Sequence, residues 1–271
     1  MTGAQMRRLI RVGVVAVAGA LTARPSGAQQ RPPADRRVFL ACPIVRDTRT
    51  VPCFLAEMDG ELYFLGIQQD TSADWYPPQL GHKVLVEGTV APGPRVCGGI
   101  PLTPVVTSVI LEVDAACNTL LPAEDGLDAP EGHRGPGPSS ERPGNRPRAA
   151  APPAPAAPFQ PKDFTLLFDF DSDFMSLKIT PVISEAVRYA KTIGATRVDV
   201  TSFRGATLLS NGQTLVENPL VAQRRAAKLH DVLLGLGLPA ASLTVTAKTE
   251  PATPTGVADE RSRRVVIAVK P

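Results

Sequence analysis

The chain has 271 residues, 43% of them hydrophobic and 20% charged, which is enough apolar surface to exclude a wholly disordered polypeptide. Its formal charge of +3 is unevenly placed: residues 1–28 carry +4, residues 29–121 carry −3, residues 122–161 carry −1 and residues 162–271 carry +3. Without the first 28 residues the balance is −1, so bulk charge gives no case for a nucleic-acid partner.

In chain order, residues 1–28 read as a signal peptide. Arg7, Arg8 and Arg11 precede a short apolar run, Val12 to Leu21, and Ser26-Gly27-Ala28 supplies small residues for cleavage. Ten apolar residues fall short of the about 20 that a membrane span needs. The Arg7-Arg8 pair leaves both the general secretory and the twin-arginine route open. No cysteine stands at the cleavage site, which argues against a lipoprotein, and the strands that follow are too few for an outer-membrane barrel. The mature chain is therefore expected to lack a transmembrane segment and to reside in the periplasm, free or associated with the outer membrane or cell wall.

Residues 29–121 form the first predicted domain. Strand patterns run over Val38–Val45, Val51–Glu57, Leu62–Ile67, Lys83–Val90 and Val105–Val113, with turns at Asp59-Gly60 and Pro77-Pro78 between them. Five short strands predict a small β-barrel. The stretch from Leu80 to Val90 resembles the third-strand region of OB-fold barrels, which makes the expected barrel OB-like. Its aromatic residues occupy strand positions, leaving Trp75-Tyr76 as the one candidate contact patch.

All four cysteines, Cys42, Cys53, Cys97 and Cys117, lie in this domain. In an oxidising compartment they predict two disulfides; of three pairings, Cys42–Cys53 with Cys97–Cys117 is preferred because each closes a local loop. The nearest pair stands eleven positions apart, unlike the close spacing of zinc sites, and no metal or other cofactor is expected.

Residues 122–161 are dominated by Pro, Ala, Gly, Ser and charged residues, with only Ala and Pro from Ala149 to Pro158. Such a segment cannot bury a core and reads as a disordered linker.

Residues 162–271 alternate strand and helix. Thr165–Phe170 is a strand with Phe168 and Phe170 on one face and Asp169 and Asp171 on the other. Thr180-Pro181 opens a helix with an Ile183, Ala186, Val187 and Ala190 stripe, stopped by Gly194. Arg197–Thr201 is a strand, Asn211-Gly212 marks a hairpin within 207–216, and Asn218-Pro219 starts a second helix ended by Gly235 and Gly237. Leu243–Ala247 and Val265–Val269 complete an α/β sandwich, making the chain a two-domain α+β protein. Asp169, Asp171 and Asp173 have the spacing of a calcium loop, but Phe174 and Thr180 stand where that loop needs Gly and Glu. His82, His133 and His230 have no partners at ligand spacing, and no nucleophile with an adjacent base is visible, so an enzyme is not expected.

Several of these motifs occur together in a known domain. Phe168-Asp169-Phe170-Asp171-Ser172, Thr180-Pro181, Asn218 with Val221-Ala222-Gln223-Arg224-Arg225-Ala226, Leu236-Gly237-Leu238-Pro239 and Arg263-Arg264-Val265-Val266-Ile267 follow one another in order. This run resembles the C-terminal peptidoglycan-binding domain of the outer-membrane protein A-like (OmpA-like) family. The resemblance implies a site where an Asp partners the ammonium of the stem-peptide diaminopimelate and an Arg takes its carboxylate with two hydrogen bonds. Arg225 stands at the Arg position. In the loop, Ser202, Phe203 and Gly205 replace the family's Gly, His and Asp, and Arg204 adds a positive charge. Glu217 is either a substitute carboxylate or an acidic residue favouring the positive helix start. Ser202, Phe203, Arg204, Glu217 and Arg225 are the candidate ligand-binding residues. Two functions remain open: association with peptidoglycan or a related anionic envelope ligand, and a periplasmic scaffold that has lost this binding and meets an envelope protein partner.

Overall fold

A computed structural model describes residues 32–67, 77–130 and 158–271. The expected signal peptide, the Trp75-Tyr76 patch, His133 and most of the expected linker lie outside these residues.

The first unit is a curled seven-stranded sheet. Its strands are β1 (Arg36–Ala41), β2 (Pro43–Arg46), β3 (Cys53–Met58), β4 (Glu61–Ile67), β5 (His82–Val90), β6 (Ile100–Val113) and β7 (Thr119–Leu121), in the order β1-β5-β6-β4-β3-β2-β7. Only Cys42 separates β1 from β2, yet β1 pairs with β5 at one end of the sheet and β2 with β3 and β7 at the other. The chain can do this only because the sheet curls back on itself. The strand expected over 38–45 is thus divided at Cys42, and β7 adds a strand that three residues of sequence did not signal. Phe39, Phe54, Tyr63, Leu65, Val84 and Val86 fill the interior.

The disulfides differ from the expected pairing: Cys42 joins Cys117 and Cys53 joins Cys97, across 75 and 44 residues of sequence. Local spacing favoured short loops, but the curl brings Cys42, which follows β1, beside Cys117, two residues before β7. Among the described residues one cluster of metal-type donors occurs, Cys42, Asp114 and Cys117, and two of its three members are spent in this disulfide. The packed chain also runs beyond the expected boundary at 121. Glu124 pairs with Arg46 at 2.6 Å, Asp128 pairs with Arg49, and Ala129 lies against the cluster containing Cys53 and Leu55.

The second unit places α1 (Ile179–Ile193) and α2 (Val221–Gly235) on a four-stranded sheet of β8 (Lys162–Leu167), β9 (Arg197–Arg204), β12 (Leu243–Pro251) and β13 (Arg264–Lys270). The order is β12-β9-β13-β8, with β12 parallel to β9 and the other pairs antiparallel. Alternation puts Phe164 and Leu166, Val198 and Val200, and Val265, Ile267 and Val269 on the helix-facing side, where they meet Ile183, Ala186, Leu229 and Leu233. Burial of those side chains at ~25 cal/mol per Å² is the main force holding helices to sheet. Gly194 caps α1 in the left-handed conformation (φ 61°), as expected. Thr180, expected to cap the start of this helix, lies inside it: the N-cap is Lys178, two residues earlier, and the carbonyl of Ser176 accepts the Ile179 and Thr180 amides. The predicted hairpin forms, with β10 (Ala206–Leu208) antiparallel to β11 (Thr214–Val216) around Asn211-Gly212.

That hairpin touches the first unit. Ser210 donates its amide to the Val38 carbonyl at 2.8 Å and accepts the Val38 amide at its Oγ at 2.9 Å. Beneath it Val38, Leu85, Phe170 and Leu209 make a buried apolar cluster drawn from both units. Arg263 reaches Glu87 on β5, and Arg36 reaches Glu260 at 3.1 Å.

Candidate functional site

The site predicted around Arg225 is assembled by α2. Val221, Ala222, Ala226, Leu229 and Leu233 form the face that presses on the sheet, and Arg225 shares that face, so packing carries its guanidinium inside. Its side chain is 0% exposed. The ring of Phe168 lies 5.0 Å from the guanidinium carbon.

Every N–H of this guanidinium is used within the protein. Nε donates to the Ser172 carbonyl at 2.7 Å, and Nη1 donates to the Phe203 carbonyl at 3.4 Å and to Glu217 Oε2 at 3.0 Å. Nη2 donates to the Asp169 carbonyl at 3.0 Å and to Glu217 Oε1 at 2.6 Å. An arginine has five such donors, so this accounting is complete. Glu217 thus forms the two-pronged pair with Arg225 that the family resemblance assigns to a ligand carboxylate.

Glu217 is equally saturated. Oε1 also accepts the Asp171 amide at 2.9 Å and Oε2 the Gly205 amide at 2.6 Å. Gly205 explains why the loop carries no Asp. A Cβ there would lie 2.5 Å from Cγ of Arg263 and 2.8 Å from the Ser262 hydroxyl, with Glu217 Oε2 at 3.2 Å. The space needed by a side chain at 205 is taken chiefly by Arg263 and Ser262, with the carboxylate that arrives from 217 tight beside them.

The other candidates are partly drawn in. Arg204 donates Nε to the Glu217 carbonyl at 2.7 Å and Nη1 to the Thr249 carbonyl at 3.3 Å, so its charge is pinned beside the pair. Phe203 contributes its carbonyl, while its ring lies 4.5 Å from the guanidinium carbon of Arg264. Ser202 points with Val198 and Val200 into the buried face, where its hydroxyl has no hydrogen-bond partner among the described residues. Asp171 Oδ1 accepts the Asn218 amide at 2.8 Å, and Asn218 Oδ1 accepts the Leu220 amide at 2.9 Å, so both residues shape the approach to α2. Desolvation raises the pKa of the Asp169 carboxyl, against the pull of Arg263, Lys178 and Arg225.

A second buried arginine, which sequence reasoning did not single out, stands directly behind Gly205. Arg263 donates Nη1 to Glu87 Oε1 at 3.1 Å and to the Thr207 hydroxyl at 3.0 Å, and Nη2 to Glu87 Oε2. Burial opposes its charge, but Glu87 outweighs that cost, aided by Glu217 and Glu260, and raises its pKa above the ordinary arginine value. Asp259 orders the hairpin next to it, taking the Leu208 and Gly256 amides on Oδ2 and the Thr255 amide on Oδ1, each at 2.9 Å. The one available signal was Glu87 itself, a charge directly after the apolar run Val84-Leu85-Val86, where a buried carboxylate requires a partner. A cleft of about 440 Å³ opens beside the hairpin tip, lined by Val38, Phe39, Met58, Leu209 and Asn211, and none of the predicted site residues borders it.

No family model matches the chain, and no curated protein matches it. Among solved structures, the OmpA-like domain of FopA1 from Francisella tularensis is 22% identical, with 41% of this chain covering 73% of that one at a TM-score of 0.33. A MotB-like protein from Desulfovibrio vulgaris is 18% identical over 41% of this chain and 75% of that one, at 0.33. The periplasmic domain of Helicobacter pylori MotB is 21% identical over 41% and 76%, at 0.32.

Proposed function

We propose that this chain is a non-enzymatic envelope protein whose OmpA-like unit, its carboxylate seat filled from within, works as a scaffold by protein contact. The observation that carries the reading is the complete internal use of the Arg225 donors, two of them on Glu217. A ligand carboxylate would have to displace a buried glutamate that also holds two backbone amides. The added hairpin, the natural candidate for a partner contact, meets the chain's own first unit.

Two further readings belong with this one. The first unit is an OB-like barrel: counting β1 with β2 as one strand, its pairings run 1-4-5-3-2-1, with only the pairing of β4 with β6 parallel among these. The compartment is the periplasm, which two disulfides and the leader of residues 1–28 support. Peptidoglycan association is the second functional reading, favoured by Arg225 standing at its place in the motif.

Cosedimentation of the full mature chain with purified sacculi tests the proposal. The expected result is that the protein stays in the supernatant. Retention on sacculi that free diaminopimelate reverses would overturn the scaffold reading in favour of peptidoglycan association.

A further inference from the structure

The carboxylate that fills the Arg225 seat and the contact between the two units share their supports. Glu217 is held by the amides of Gly205 and Asp171. Behind Gly205 lies Arg263, whose partner Glu87 belongs to the first unit. Immediately before Asp171 stands Phe170, buried in the cluster that Val38 and Leu85 of the first unit complete. Glu217 itself directly follows β11, whose Leu215 packs on that same cluster and whose hairpin tip is bonded to Val38. Each of the three attachments that place the Glu217 carboxylate therefore has a neighbour fixed by the first unit.

We infer that Glu217 is an internal competitor for the Arg225 guanidinium, kept in place by docking of the first unit, and that undocking opens a two-pronged seat for a carboxylate ligand. The inference rests on the scaffold reading for the docked state and adds a second, open state to it. A population shift of this kind needs a ligand that prefers one state, and a carboxylate that can pair only with a vacated guanidinium meets that condition. The coupling is reciprocal: a carboxylate bound at Arg225 weakens docking by the factor with which docking weakens its binding.

The experiment uses the full mature chain and sodium acetate as the probe, against sodium chloride at equal ionic strength. Glu217→Gln removes the competing charge at nearly constant shape, and Glu87→Gln weakens docking from the first unit without touching Arg225. Both variants are expected to bind acetate about tenfold more tightly than the unaltered chain, within the usual range of allosteric coupling. The gain is expected to vanish when Arg225→Lys is added. Folded variants that show no gain, or a gain that survives Arg225→Lys, overturn the inference.

Native-state hydrogen exchange on the unaltered chain gives an answer even if the variants do not fold. The amides of Ser210, Asp171 and Gly205 are expected to open together, with one dependence on low denaturant. Opening of Ser210 while Gly205 and Asp171 stay closed with the core overturns the coupling. Sacculus binding by the unaltered chain is a separate outcome: it bears on the scaffold reading, whereas these comparisons bear on the competitor.

Discussion

Among the described residues stand two buried Arg–Glu pairs of nearly the same chemistry and opposite reach. Arg225 and Glu217 are eight positions apart and belong to one unit, whereas Arg263 and Glu87 are 176 positions apart and join two. Both arginines face a phenylalanine ring, Phe168 at 5.0 Å and Phe170 at 5.9 Å. Both carboxylates are essentially without solvent contact. The difference lies in what relieves a broken pair. If Glu87 is lost, the units can part and water can reach Arg263. If Glu217 is lost, the guanidinium keeps three carbonyl acceptors but remains charged inside a closed core, unless that core opens.

Breaking the inner pair should therefore have the larger effect. Glu217→Ala is expected to cost about 3–5 kcal/mol, the usual penalty for stranding a buried charge. Urea unfolding followed by far-ultraviolet circular dichroism measures it, and a loss no greater than that of Glu87→Ala would erase the distinction between the pairs.

Glu87→Ala should cost less, about 1–3 kcal/mol, and change the form of unfolding as well as its midpoint. Calorimetry is expected to resolve two transitions where the unaltered chain shows one, because the units lose their shared ion pair while each retains its own core. A single transition displaced to lower temperature would mean that Glu87 serves mainly the fold of the first unit.

The smallest expected effect comes from an exposed network and sets the scale for both buried pairs. Partial burial opposes the charge of Asp199, but hydrogen bonds from Lys270 and Arg197 outweigh it and lower its pKa. A depressed carboxylate pKa stabilises the fold above the unfolded value near 3.8, and that contribution disappears as pH falls through the lower folded value. With Asp199 at the surface, screening keeps this at about 0.5 kcal/mol or less. Asp199→Asn should lower the melting temperature slightly at pH 7 and leave it nearly unchanged at pH 2. An equal loss at both values would assign the effect to packing.

Local signals carried most of the fold. The Asn211-Gly212 turn and the Gly194 cap are determined by neighbours in sequence and stand where those neighbours put them, whereas strand ends shifted: the strand expected over Thr165–Phe170 runs from Lys162 to Leu167. The disulfides were misread for the same reason: spacing favoured Cys42 with Cys53, whereas the curl of the sheet, a property of all its strands, delivers Cys42 to Cys117. At the site, Glu217 was readable as a substitute carboxylate because it follows the Asn211-Gly212 hairpin, which enters just ahead of the helix that carries Arg225. Its saturation was not readable, since the amides of Gly205 and Asp171 come from two other segments. Glu87 left a signal as a carboxylate beside an apolar run, but its partner Arg263 was beyond reach, because nothing in either sequence neighbourhood names the other.

The paired hydrogen bonds between Ser210 and Val38 have a bearing on solubility. β1 ends the order of its sheet, and an end strand with free amide and carbonyl groups is a template for another chain. The hairpin tip covers that template at Val38, and Leu209 and Phe170 cover the apolar residues beneath it. Parting the units would uncover the strand edge and the greasy patch together. The open state should accordingly be prone to self-association, and the closed one is the form that keeps this protein from adhering to its own copies.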